Sequence, residues 1–356
     1  MPRVLQVLKE SGLDCLSCEA FNLDYDRFQH YRDRDEHPAE KPFEDPLLEQ
    51  GRRRLDETPP DVPTILRYFL DGSRRTYHVG DVIVGRRKYY PLVGGQVGVA
   101  VVERLADGHV TPLREFCEIR SVLAIPDQIP DADRGLFEER VNSRCRGTFR
   151  LLNYTVDPAK DAVDLAVARI MSEMHDAEIR VVKQMAAGNL LSGSQMLVID
   201  GPLRFRKRFD IVQFRNVIGV SKSFRPTFTV GRGRKRVGVG TITSDLDFGE
   251  RTNVFRVIGY DKVIGAWYLR LRDPARMSNP LQGVVKVEQY AIDPKEKENG
   301  LDGVRVDNVS RFLLRERNVT PYKIDRRWAS HIYPIYLAET FLKTSFRSDM
   351  YFKALF

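Results

Sequence analysis

The sequence predicts an α/β protein in which a mixed sheet is flanked by helices. Segments rich in Val, Tyr and Phe begin near residue 64 and have the composition of strands. A long segment at residues 161–188 repeats its apolar residues with the period of one helix face. Further strand-like segments follow that helix. Antiparallel strands, a long amphipathic helix and later strands are together typical of an α/β fold.

The individual elements follow from local patterns of apolar residues and glycines. The first predicted strands are joined at Gly72-Ser73 and Gly94-Gly95, which indicate turns or bulges. Asp161–Gly188 is the strongest helix signal, and after Asp307 the chain looks helical, with breaks at Pro321 and Pro334. The predicted strands are residues 65–70, 76–84, 96–104, 195–200, 216–220, 267–271 and 283–287.

The chain divides near residue 62. Residues 1–62 are polar and charge-rich and contain several prolines, which predicts an N-terminal arm that is partly irregular. Residues 63–356 carry the periodic apolar segments and are predicted to form one domain. With 356 residues and 42% hydrophobic content, the chain is long enough to bury a substantial core.

Charge and cysteine content narrow the class of protein. The net charge of +8 is compatible with a polyanionic partner, although many basic proteins have none. The sequence contains neither a segment long enough to span a membrane nor a signal-peptide pattern. Four cysteines suit a reducing compartment, and Cys15 and Cys18 are interpreted as free thiols because no second pair follows at zinc-site spacing. We therefore predict a cytoplasmic protein.

Two aspartates close apolar runs that we interpret as buried strands. Asp71 ends the run from Thr64, Asp200 ends the run from Gln195, and each is followed by glycine. A carboxylate at the end of a buried strand is unfavourable unless something pairs with it. Two such carboxylates suggest one shared partner, for which a divalent cation is the simplest candidate. The alternative for either residue alone is ordinary Asp-Gly turn chemistry.

The predicted helix contributes a third carboxylate. Its apolar stripe runs through Met174 and Val181, and the member expected between them is Glu178. The stripe therefore places Glu178 on the side that faces the core, whereas Glu173 has mixed neighbours. A glutamate at the rim of the core is the alternative interpretation.

Asp71, Glu178 and Asp200 would together form an all-oxygen metal site. Such sites suit Mg²⁺ or Mn²⁺, which retain water and accept phosphate oxygens. Two such ions support an in-line phosphoryl displacement without a histidine. The sequence lacks the motifs of a P-loop, a dinucleotide fold and a serine-nucleophile hydrolase.

Two clusters of basic residues follow the Asp200 segment and are candidates for contact with nucleic-acid phosphates. Their affinity would fall steeply with salt, and the alternative is a solvated loop. The clusters comprise Arg204, Arg206, Lys207 and Arg208, and then Arg232, Arg234, Lys235 and Arg236.

The order of these features resembles the NurA family of nucleases, which have an RNase H-like core related to the PIWI domain. The similarity spans most of residues 64–345, and its motifs are individually short. It implies an RNase H-like (PIWI-like) mixed sheet with a β-rich insertion. The motifs are Leu70-Asp71-Gly72-Ser73, the carboxylate-bearing helix, Val198-Ile199-Asp200-Gly201-Pro202-Leu203, Val217-Ile218-Gly219-Val220-Ser221-Lys222 and Tyr333-Pro334-Ile335-Tyr336-Leu337-Ala338-Glu339.

The resemblance also implies roles for particular residues. Asp71, Asp200 and Glu178 would be metal ligands, with Glu173 replacing Glu178 if the helix phase differs. Glu339 stands where related chains carry His or Asp as a fourth ligand, and His331 is a nearby substitute. Lys222 resembles a basic residue beside the scissile phosphate, although from the sequence alone it is equally an ordinary lysine at a strand end. Tyr333 would contact substrate or orient a ligand.

The family further implies two bound Mn²⁺ or Mg²⁺ ions, DNA as substrate, a homodimer and a hexameric ATPase of the HerA type as partner. Such complexes act in DNA end resection or in defence against phage. The leading hypothesis is thus a two-metal DNA nuclease. The alternatives are a non-catalytic RNase H-like scaffold that binds DNA, and a guide-dependent PIWI-like nuclease, for which the chain is short.

Overall fold

The fold is taken from a computed structural model. It describes residues 2–23, 42–59, 61–85, 88–205, 207–230, 236–259, 262–317 and 326–356. The helices are α1 (Val4–Glu10), α2 (Asp131–Arg144), α3 (Ala162–Ala187), α4 (Val239–Ser244), α5 (Pro294–Asn299), α6 (Gly303–Arg315), α7 (Tyr333–Ser345) and α8 (Asp349–Lys353).

The strands vary from two to nineteen residues in length. They are β1 (Cys15–Asn22), β2 (Glu44–Asp45), β3 (Arg52–Arg54), β4 (Leu66–Val84), β5 (Lys88–Arg104), β6 (Val110–Pro112), β7 (Glu118–Pro126), β8 (Phe149–Tyr154), β9 (Met196–Asp200), β10 (Val217–Ser221), β11 (Thr229–Val230), β12 (Val237–Gly238), β13 (Glu250–Thr252), β14 (Phe255–Gly259), β15 (Lys262–Arg270), β16 (Val284–Tyr290) and β17 (Leu301–Asp302).

Most strands belong to one mixed sheet. Its order is β3-β13-β15-β16-β10-β9-β4-β5-β7-β8, and β1, β6 and β14 are attached to it. The strands β4, β9 and β10 are parallel neighbours, whereas β5 runs antiparallel to both β4 and β7. The prediction of an α/β fold with a mixed sheet flanked by helices is confirmed.

Helices α3 and α7 cover opposite faces of the sheet. A Cβ added at Gly95 of β5 would lie 3.2 Å from Ile170 of α3, whereas one at Gly98 would lie 2.7 Å from Leu342 of α7. Residues three apart along a strand point to opposite faces. The sheet is therefore buried on both sides, which explains why β5 is apolar along most of its length.

Helix α3 matches the predicted segment closely. The Asp161 side chain caps its first turn by accepting hydrogen bonds from the N–H groups of Val163 and Asp164, and Gly188 follows its last turn. The predicted apolar stripe, from Ile170 to Met185, is buried against the sheet. Local periodicity was sufficient to find this helix because all its signals lie within one segment.

The predicted turn at Gly72-Ser73 is wrong. These residues lie in the middle of β4 and pair with Val99 and Gly98 of β5, so the first two predicted strands are one continuous strand. Gly94 and Gly95 likewise lie inside β5. At these sites glycine allows side chains of packed helices to approach the backbone, and it does not reverse the chain.

The described parts of the predicted N-terminal arm are attached to the rest of the fold, which differs from the prediction of a separate segment. β1 pairs with β4, and β3 pairs with β13. The apolar side of α1 packs with Phe352 and Phe356 near the C-terminus, and the Val4 N–H donates to the Leu355 carbonyl at 2.8 Å. In the described part of the chain, every helix is too short or too polar to cross a membrane.

Candidate functional site

Asp71 and Asp200 lie side by side on neighbouring parallel strands. Leu70 of β4 pairs with Ile199 of β9, and each aspartate is the next residue along its strand. Equivalent residues of parallel strands point to the same face, and the strands are about 4.8 Å apart. β9 ends at Asp200 because Gly201 adopts a φ of 109°, which L side chains rarely adopt.

Lys222 reaches the same point from the next strand. Val220 of β10 pairs with Asp200, and Lys222 lies two residues further on, so it points to the same face. Its Nζ lies 2.9 Å from Asp200 Oδ2 and 4.0 Å from Glu339 Oε2. Lys222 thus connects the two carboxylates.

Glu339 is carried into the site by α7. Pro334 occupies the first turn of this helix, where its missing N–H costs nothing. Ile335, Ala338 and Leu342 recur at helical spacing and are buried against the sheet. Glu339 follows Ala338 at the border of this buried stripe, where its carboxylate reaches Lys222.

Glu178 approaches from the opposite face of the sheet. A Cβ added at Gly72 would overlap Glu178 Oε1. Since Asp71 precedes Gly72 on the strand, its side chain points away from α3, and Glu178 reaches the strand through the space that Gly72 leaves open. The sequence interpretation missed this use of Gly72, although a glycine inside an apolar strand pattern is itself a signal of close approach.

The electrostatics of Asp71 reflect this crowding of carboxylates. Its side chain is 3% exposed, and its Oδ2 atom has no hydrogen-bond partner. Burial raises the pKa of Asp71 well above its ordinary value, and Asp200 raises it further. Lys222 lowers this pKa, whereas Glu339 and Glu178 add to the increase. Asp71 therefore lies in a site where acidic groups outnumber the single lysine.

Lys222 and Glu339 stabilise each other's charged forms. Burial lowers the pKa of Lys222, but Asp200, Glu339 and Asp71 together raise it above its ordinary value. Burial raises the pKa of Glu339, but Lys222 and Lys343 lower it below its ordinary value, with a further contribution from His331. Lys222 therefore stays positively charged at neutral pH, and Glu339 stays negatively charged.

The structure does not bring Glu173 to this site. The Glu173 side chain is buried among arginines, and its closest ion pair is with Arg150 Nη1 at 2.7 Å. Of the two glutamates considered on α3, Glu178 is the one that influences Asp71.

His331 and Tyr333 lie at the start of α7. His331 is buried, stacks on the Tyr336 ring and helps to lower the pKa of Glu339. Tyr333 is the first residue of the helix and is exposed. His331 therefore borders the carboxylate site, whereas the structure indicates no specific role for Tyr333.

Only some residues of the two predicted basic clusters are exposed to solvent. The Arg204 side chain is 4% exposed and lies 2.7 Å from Glu288 Oε1, so it is a buried ion-pair partner, which corrects the prediction of a phosphate contact. Lys207, Arg208 and Arg236 are exposed, and Lys207 faces Asp176 at 3.4 Å. The remaining predicted phosphate contacts lie outside the described residues: Arg206, Arg232, Arg234 and Lys235.

The donor set fits a hard divalent cation, although the carboxylates do not already form a metal cage. Among the described residues, no group of three or more His, Cys, Asp or Glu side chains is close enough to hold a metal ion. Asp71, Asp200 and Glu339 nevertheless offer oxygen ligands on one face, and Asp71 Oδ2 is buried without a partner. A cation there would offset the negative charge that Lys222 leaves unbalanced.

No protein-family model and no curated protein matches the sequence. The functional assignment therefore depends on the geometry of this site and on the sequence motifs that led to it.

Proposed function

We propose that the chain is a metal-dependent DNA nuclease of the NurA type. The observation that carries the proposal is the meeting of Asp71, Asp200, Lys222 and Glu339 at the end of β9. These residues come from three parallel strands and one helix that are far apart in sequence. A buried group of acids with one lysine is costly for stability and typical of a site that binds charge.

The order of elements supports an RNase H-like core. Three antiparallel strands, β4, β5 and β7, are followed, after α2 and β8, by the long helix α3 and then by β9 and β10, which run parallel to β4. The strands β13, β14, β15 and β16 extend the sheet beyond β10, and in this proposal they are the β-rich insertion.

In this proposal Asp71, Asp200 and Glu339 hold Mn²⁺ or Mg²⁺. Glu178, which the sequence predicted as a further ligand, lies on the α3 side and adds negative charge only. Two such ions would activate a water and stabilise the leaving oxygen of a phosphodiester. Lys222, which remains charged at neutral pH, neutralises charge on the bound phosphate. Its flexible stem allows the ammonium to leave Asp200 when a cation binds there.

The resemblance extends the proposal to partners. A homodimer docked on a hexameric HerA-type ATPase, a cytoplasmic location, and a role in DNA end resection or phage defence all remain predictions. Co-purification of the full chain with such an ATPase, followed by measurement of the mass of the complex, tests the first of them.

The test of the nuclease proposal compares Asp71→Ala and Asp200→Ala with the wild type. We expect each variant to lose Mn²⁺-dependent DNA cleavage and Mn²⁺ binding, the latter measured by isothermal titration calorimetry, while DNA binding is retained. Asp107→Ala, which removes an exposed carboxylate from the turn between β5 and β6, serves as the control and should cleave normally. Full cleavage by Asp71→Ala or Asp200→Ala would rule out this mechanism.

A non-catalytic DNA-binding scaffold is the second candidate. The observation that favours it is the position of Lys222, whose ammonium already neutralises part of the charge of Asp200 and Glu339. This candidate predicts that the wild type binds DNA but cleaves it with neither Mn²⁺ nor Mg²⁺. Cleavage that depends on Asp71 would exclude it.

A further inference from the structure

A group of four partly exposed arginines surrounds one buried carboxylate beside α3. We call this group the Glu173 patch. The arginines come from β7, β8 and α3, so they are far apart in sequence. Its members are Glu173, Glu118, Arg120, Arg150, Arg169 and Arg180.

Glu173 is the buried carboxylate toward which all four arginines of the patch point. Arg150 Nη1 lies 2.7 Å from Glu173 Oε1, whereas the closest atoms of Arg120, Arg169 and Arg180 lie 3.7–3.8 Å from its carboxylate. Since only Arg150 is within hydrogen-bond distance, the other guanidinium groups keep donors for a further partner. The buried carboxylate therefore attracts these three guanidinium groups without accepting hydrogen bonds from them.

The second carboxylate of the patch, Glu118, also leaves N–H donors of the arginines unused. Glu118 Oε1 lies 2.6 Å from Arg120 Nε and 2.8 Å from Arg180 Nη2. Arg180 Nε is nevertheless buried without a hydrogen-bond partner. Four guanidinium groups face two carboxylates, which leaves a net charge of about +2 in a small area. Guanidinium groups held together in this way suit phosphate oxygens, which they bind through paired N–H donors.

The patch lies on the face of the sheet that α3 covers, whereas Asp71, Asp200 and Lys222 point to the face that α7 covers. Gly72 of β4 pairs with Val99 of β5, and Val99 pairs with Glu118 of β7. Two strand spacings separate Glu118 from Gly72, a distance of about 10 Å. Glu178 and the patch also share the face that α3 covers.

We propose that the Glu173 patch binds backbone phosphates of nucleic acid. This inference deepens the proposed nuclease function and rests on it for the identity of the ligand. The arginines hold the backbone by charge and position, with no contact to the bases, so binding is independent of sequence. The patch takes the role that the sequence assigned to Arg204.

The test measures DNA affinity without metal, so that cleavage plays no part. Arg150→Ala and Arg169→Ala are titrated against a short fluorescent single-stranded DNA and its duplex in EDTA, over a range of salt concentrations. We expect about tenfold weaker binding and a salt slope reduced by about one for each variant. Arg150→Lys should keep the salt slope and lose part of the affinity.

Arg215→Ala is a closely matched control. The Arg215 side chain is 42% exposed and paired with Asp293, whereas that of Arg150 is 45% exposed and paired with Glu173. Both substitutions remove one charge and one ion pair, but Arg215 lies outside the patch. Normal binding by Arg215→Ala with weak binding by Arg150→Ala supports the patch, and thermal unfolding confirms that both variants are folded. Equal losses would overturn the proposal.

The outcomes separate the patch from the nuclease function. If Asp71→Ala abolishes cleavage while the patch variants bind DNA normally, DNA binding by the patch is contradicted and the nuclease proposal is supported. If the patch variants bind DNA weakly but the wild type cleaves it with neither Mn²⁺ nor Mg²⁺, DNA binding by the patch is supported and the nuclease proposal is contradicted. A wild type that binds neither form of DNA overturns both.

Discussion

Two buried carboxylates on different strands of the same sheet have pKa values that shift in opposite directions. Glu288 of β16 is paired with Arg204 at 2.7 Å and with Lys286 at 3.0 Å, and it accepts a hydrogen bond from the Leu203 N–H. Burial raises its pKa, but Arg204 and Lys286 lower it to about 2. For Asp71, burial and three other carboxylates outweigh one lysine, and the pKa rises.

The difference shows that burial alone does not indicate a functional carboxylate. Glu288 has more cationic neighbours than it needs and serves the stability of the fold. Asp71 has too few, and the fold tolerates this cost because something outside the chain is expected to supply the missing charge. The balance of charge around a buried acid therefore separates a structural ion pair from a candidate ligand site.

The largest effect on stability is expected from Glu288→Gln. The substitution removes the carboxylate that Arg204 and Lys286 share in a buried position, which should lower the free energy of unfolding by about 3–5 kcal/mol. Urea unfolding monitored by circular dichroism measures this change. Glu298→Gln, at an exposed position of α5, is the control and should alter stability by less than about 0.5 kcal/mol. A loss of similar size in both variants would contradict the role given to Glu288.

The same ion pair should appear in the pH dependence of stability. Because the pKa of Glu288 falls from 4.5 to about 2 on folding, its contribution is complete above about pH 4.5 and is lost as the pH falls towards 2. This difference in pKa corresponds to about 3 kcal/mol. The stability gap between wild type and Glu288→Gln should therefore be constant near neutral pH and narrow below pH 4.5. A gap that widens on acidification would contradict this assignment.

Gly72→Ala tests the surroundings of Asp71, the second carboxylate of the comparison. A methyl group at Gly72 would overlap Glu178 Oε1 and displace this carboxylate from the strand that carries Asp71. We expect Mn²⁺-dependent cleavage and Mn²⁺ affinity to fall by about 10- to 100-fold, the range typical of lost support around a metal ligand. Gly193→Ala, where nothing lies within 4 Å of the added Cβ, should behave as wild type. Unchanged Mn²⁺ affinity in Gly72→Ala would show that Glu178 plays no part.

Parts of the site that depend on local pattern could be predicted from the sequence. Asp71 and Asp200 each end an apolar run, and Glu178 interrupts the stripe of α3, so all three are visible within a few residues. The continuous strand β4 was missed because a glycine followed by serine has the same local pattern in a turn and in a strand against which a helix packs closely.

Other features depend on contacts between distant segments. The position of Glu339 beside Lys222 follows from the packing of α7 on the sheet, which helical periodicity does not specify. Arg204 was misassigned because its partner, Glu288, lies on a strand much later in the chain. The Glu173 patch was missed for the same reason, since its arginines are scattered over three elements and each resembles an ordinary surface residue.

The smallest and most discriminating effect is expected from Asp71→Asn in the absence of metal. The substitution removes a buried carboxylate that is repelled by Asp200, Glu339 and Glu178, so it should leave the stability unchanged or raise it by about 1–2 kcal/mol. Urea unfolding in EDTA measures this change, with Glu288→Gln as the opposite case. Mn²⁺ should stabilise the wild type more than Asp71→Asn, because binding to the folded state alone raises stability. If Asp71→Asn is destabilised as strongly as Glu288→Gln, Asp71 is a structural residue and the contrast between the two carboxylates does not hold.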